Sequence, residues 1–150
     1  MNTTKTADKL NDLLEYLHDS HDGYKECAGE TKNLKLKALF ETLAATRNQM
    51  KGALQQEISH LSEEPVKHGS MLAAAHRLLV DLKSMLTGHD NQAIINEIRR
   101  GETQMIERYQ DVIQSDIPEN IKPLLRQQLQ TIEGNLHTIN MQAILETETV

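Results

Sequence analysis

The stretch 97-EIRRGETQMIERY-109 carries apolar residues at Ile98, Met105 and Tyr109, and Ile94, Ile95 and Val112 extend the same face. Steps of three, four and seven residues put these side chains on one side of a helix. Glu102, directly after Gly101, falls at the centre of that stripe. A charge taken out of water costs several kcal/mol unless it is paired. A carboxylate aimed at a helical core therefore needs a partner, and that partner must come from another helix.

Working outward, apolar periodicity predicts five helical segments. The first spans about Ala7 to Gly29, with Leu10, Leu14, Leu17, Tyr24 and Ala28 in register. After the turn "GETKN" a second runs from about Leu34 to Ser62 through Leu36, Phe40, Leu43, Met50, Leu54, Ile58 and Leu61. "SEEPVKHGS" breaks it with Pro65 and Gly69, and Ser70 is placed to cap a shorter helix from Met71 to about Leu86. The fourth runs from about Asn91 to Gln114 and ends at "SDIPEN"; the fifth continues from about Glu119 to Leu145, leaving "ETETV" as a frayed tail. No alternating Val/Ile/Thr run suggests a strand. Helices of nearly 30 residues reach roughly 40 Å, and tight turns after the first and fourth imply two antiparallel hairpins. The expected fold is all-α, a four-helix bundle with an additional short crossover helix.

Composition fits a helix-packed interior. The 150 residues contain 3% aromatics and no Trp, so Leu, Ile, Met and Ala must fill the core. A chain of this length is expected to form one domain, residues 1–150. A net charge of −6, with Lys and Arg scattered, argues against nucleic acid as a partner. No run approaches the roughly 18 apolar residues of a membrane span, and the N-terminus carries no signal-like apolar segment. The lone Cys27 forms no intrachain disulfide and suits a reducing compartment. A cytoplasmic protein without membrane association is expected.

One polar residue per long helix interrupts the apolar stripes: His21 between Leu17 and Tyr24, Arg47 between Leu43 and Met50, Glu102, and Gln128 between Leu125 and Ile132. Arg47 and Glu102 fall within about one helical turn of the same level when counted from the hairpin turns. They are expected to meet as a buried ion pair, with Gln128 and His21 completing a polar cluster. The competing assignment is a metal site in the bundle core. A di-iron bundle needs about four carboxylates and two histidines, whereas this interior offers Glu102, His21 and a guanidinium that repels cations. Glu57 and His60 have Glu-x-x-His spacing but point off the apolar face. Glu133 and His137, with Glu97 level across the hairpin, form an alternative groove site for a metal, although solvated helix charges account for them as well. His76 reads as a packing histidine, and His18 and Glu15 as solvated-face residues. No nucleophile elbow, phosphate-binding glycine loop or Cys-x-x-Cys is present. Gly52, Gly101 and Gly134 lie inside helices, where each costs about 1 kcal/mol against Ala; Gly101 beside Glu102 offers a point of close helix approach.

The segments "DGYKECAGE" (22–30), "HGSMLAAAHRLLVDLKSMLTG" (68–88) and "EIRRGETQMIERY" resemble those of a bacterial family of uncharacterised proteins in the ferritin-like superfamily, near the rubrerythrins. The resemblance runs over nearly the whole chain and implies a ferritin-like four-helix bundle with a crossover between its hairpins. Its di-iron pattern requires a Glu on the first helix, Glu-x-x-His on the second, a Glu on the third long helix and Glu-x-x-His on the last. Only Glu102 matches in helix and direction; Arg47 stands where a carboxylate would serve, and Glu133/His137 has the wrong spacing.

The functional expectation is a non-enzymatic bundle, stress-related by resemblance, with the Arg47/Glu102 cluster in place of a metal centre and no cofactor. The rival is a rubrerythrin-like metalloprotein using iron or another divalent metal through Glu102 and His21. A third reading makes Arg47 a buried anchor for a small anion. Met71, Leu78 and Met85 flank Leu72, Leu79 and Leu82 on the short helix, an apolar arc wide enough to predict a homodimer contact.

Overall fold

The computed structural model describes residues 2–69, 74–88 and 90–148, with side chains over 2–69, 80–88 and 90–141. These residues form five helices and no strand: α1 (Thr3–Glu30), α2 (Leu34–His60), α3 (Ala74–Gly88), α4 (Asn91–Gln114) and α5 (Lys122–Glu148). Local chemistry fixes the boundaries. The Asn2 side chain accepts from the backbone N–H groups of Thr4 and Lys5, so α1 begins ahead of the predicted Ala7. Asn33 caps α2 through Lys35 and Leu36, and Asp90 caps α4 through Ala93. Each such cap is worth about 1 kcal/mol. α5 starts at Lys122 rather than near Glu119, because Pro118 to Ile121 form a turn; Pro123 is tolerated within the first helical turn. At its other end α5 continues to Glu148, taking in part of the tail expected to fray. The expected Ser70 cap and Met71–Ala73 start of the crossover helix lie outside the described residues, as do the side chains of His76, Leu78 and Leu79.

α1 pairs with α2 and α4 with α5, while α3 packs against α1 and α4. The linker between α2 and α3 is tied to α1. It opens with a Schellman closure, Glu63 N–H to the Ile58 carbonyl and Ser62 N–H to the Ser59 carbonyl, with Ser62 left-handed at φ 59°. Asn11 then donates to the Glu64 carbonyl at 3.0 Å and accepts from the Val66 N–H at 2.8 Å. His18 donates its Nε2–H to the Val66 carbonyl at 3.0 Å and is buried, not solvated as its helix position predicts. The linker crosses over that flank of α1 and covers it.

Two apolar clusters fill the interior. One gathers Leu10 to Leu17, Met50 to Ile58, Met105, Tyr109 and Ile117 to Ile132. The other gathers Tyr24 to Ala28, Leu36 to Ala44, Leu82, Ile94 to Ile98 and Ile139. Arg47 and Glu102 sit at the seam between them.

Candidate functional site

α2 delivers Arg47 to the seam between Ala44 and Met50, and α4 delivers Glu102 between Ile98 and Met105. Arg47 Nη2 donates to both carboxylate oxygens of Glu102, and both side chains are almost completely excluded from solvent. Tyr24 of α1 donates its hydroxyl to Glu102 Oε2 at 3.3 Å. Arg47 Nη1 lies 3.8 Å from the Met50 sulfur, and Nε has no acceptor among the described residues. Burial is the largest single influence and opposes the charge on Arg47, but Glu102, Tyr24 and Tyr109 together hold the guanidinium pKa above its ordinary value. Burial, reinforced by the charge of Glu102, pushes the Tyr24 phenol well above its usual range.

A second polar chain runs beside the first. Tyr109 donates to Gln128 Oε1 at 2.7 Å, and Gln128 Nε2 donates to the Met50 carbonyl at 3.1 Å. About two turns along α5, Asn135 donates to Thr46 Oγ1 at 3.3 Å. Burial raises the Tyr109 phenol as well. The phenols therefore stay neutral near physiological pH and serve as donors.

Gln128 is thus buried at the seam but bonds to Tyr109 and α2 backbone, not to the ion pair. His21 is not part of the cluster. It is half-buried, with Nδ1 3.4 Å from both Lys51 Nζ and Asp22 Oδ1. α1 packs on α3 as well as α2, and this wider buried arc turns Gly23 and Tyr24 inward at that level. The tyrosine hydroxyls were hidden in the sequence because Tyr24 and Tyr109 occupy apolar-stripe positions. The available signal was their identity: only three Tyr occur in the chain, and a buried Tyr hydroxyl needs a partner.

The remaining candidates do not converge. Glu97 bonds Arg100 on its own helix at 2.8 Å, while Glu133 and His137 are exposed on α5. Among the described residues no three His, Cys, Asp or Glu side chains are grouped to hold a metal ion. The donor set at the seam does not fit a di-iron centre: its one carboxylate is engaged by a guanidinium. Gly23 and Gly101 line a cavity of about 30 Å³ that reaches Glu102 between α1 and α4, with room for one or two water molecules. Cys27 is buried, and desolvation pushes its thiol up to about 12, leaving it a packing residue rather than a nucleophile.

Comparison with curated proteins finds no match. Residues 5–115 match the family described as "Domain of unknown function (DUF2383)". That match spans α1 through α4, with both members of the ion pair, and the chain belongs to this family.

Proposed function

We propose that this protein is a one-domain, ferritin-like four-helix bundle that is non-enzymatic and works through assembly, with itself or with a protein partner. The Arg47–Glu102 pair then stands where metal-binding members of that superfamily keep ligands. The observation that carries this reading is that Glu102 is already satisfied, by Arg47 on one side and Tyr24 on the other. Recruiting Glu102 to a metal would strand the guanidinium, and breaking a buried pair costs roughly 3–5 kcal/mol. A stress-related role accords with the resemblance to rubrerythrins, and a cytoplasmic setting suits a single buried thiol.

Metal analysis after aerobic purification with added iron tests the proposal. Well under one iron per chain is expected. Two tightly held irons per chain with oxo-bridge absorbance would replace this reading with rubrerythrin-like iron or peroxide chemistry.

A further inference from the structure

The α1–α2 turn, the last turn of α3 and the first turn of α4 line a cavity of about 300 Å³ at one end of the molecule. Its size is at the lower bound of small-molecule sites, larger than a bare ion requires. Leu86 contributes the open apolar surface, and Leu36 and Ile94 lie buried beneath the cavity floor. Lys32, Lys83, Thr31 and Asn33 contribute polar groups, and their existing bonds decide which ligand they suit.

Helix capping uses the acceptors and leaves donors. Asn33 Oδ1 accepts from the N–H groups of Lys35 and Leu36 at 2.9 and 3.1 Å, so its Nδ2 amide remains to donate. Thr31 Oγ1 accepts from the Asn33 N–H at 3.2 Å, which leaves its hydroxyl proton for another partner. Lys32 has no carboxylate within ion-pair distance among the described residues. Lys83 contacts Glu26 at 2.5 Å and Glu30 at 3.4 Å, so one of its three N–H groups has no partner among the described residues. Among the described residues of the lining the one carboxylate is Glu30, which Lys83 engages together with Glu26. Among the described side chains of the lining, donors therefore outnumber free acceptors, and two of them are ammonium groups.

We propose that this cavity binds a small organic anion, a molecule with one carboxylate or phosphate and an apolar body. The anionic group lies against Lys32, Lys83 and the Asn33 amide, and the body rests on the partly open side chain of Leu86. Charge-assisted bonds of this kind are about twice as strong as neutral ones. The site lies away from the Arg47–Glu102 seam, so it stands whether or not that pair has replaced a metal centre.

Amide NMR of the full chain, titrated at constant ionic strength with benzoate, phenyl phosphate and benzyl alcohol, tests this. Saturable shifts at Lys32, Asn33, Thr87 and Asn91 are expected with at least one anion and not with the neutral alcohol. The tighter of the two anions identifies the head group. Lys32→Gln, at an exposed position, should keep the spectrum folded and weaken binding about tenfold. Leu86→Trp should fill the cavity and abolish saturation. Absence of saturation by either anion at millimolar concentration overturns the proposal, as does equal binding of benzyl alcohol or unchanged affinity in Lys32→Gln.

Discussion

Arg47 and Glu102 hold each other where neither can reach solvent. Removing one partner leaves an uncompensated buried charge, so Glu102→Gln and Arg47→Met should each cost roughly 3–5 kcal/mol in denaturant unfolding. The double variant should recover much of that loss, because neither charge then needs a partner. Additive single effects would show that the two side chains are not energetically coupled. A metal ligand would give another pattern: loss of bound metal in Glu102→Gln, with no rescue from Arg47→Met. At this scale the sequence was readable where one residue interrupts an otherwise apolar stripe, as at positions 47 and 102. It was not readable at His21, because averaging over all of α1 hides the local arc that α3 covers.

The α2–α3 linker shows where element-level reading stops. "SEEPVKHGS" announces a break through Pro65 and Gly69, but nothing in that string says that it crosses α1. Its route rests on bonds between residues roughly 50 positions apart, Asn11 to Val66 and His18 to Val66. The crossing also creates a pH response. Burial lowers the His18 pKa; the Val66 carbonyl and Asp22 oppose this, while Lys51 and His68 add to it. Because the fold favours the neutral ring, its contribution is complete above the unfolded value of about 6.5 and is lost as pH falls through the lower folded value. Stability should therefore decline between pH 7 and 5. His18→Gln retains an N–H donor for the linker and removes the titration, so its unfolding midpoint should vary less over that range. His21, lowered by burial and Lys51, leaves a residual slope. An identical pH profile in His18→Gln and the unmodified protein would remove His18 from this account.

For the whole molecule, helix periodicity and turn chemistry carried most of the information. Five segments and two hairpin turns could be placed because long amphipathic repeats leave few alternatives, and caps at Asn33 and Asp90 agree with the pattern. Which faces remain open after packing could not be read the same way, since it depends on how α3 settles. The described part of α3 is two-sided: Leu82 is buried, and Met85 and Leu86 pack against the interior cluster. Val80, about 200° from Leu82 on a helical wheel, is 54% exposed. We propose this outer side of α3 as the dimer contact, and Val80 is the residue with which to test it. An aspartate there would remain solvated in a single chain and change its stability by no more than about 0.5 kcal/mol. In a dimer it would replace buried apolar surface with a charge and oppose association. Light scattering at micromolar concentration should give about twice the 17.0 kDa chain mass for the unmodified protein and the single-chain mass for Val80→Asp. A monomeric unmodified protein would count against assembly, whereas a Val80→Asp dimer would exclude this side of α3 as the contact.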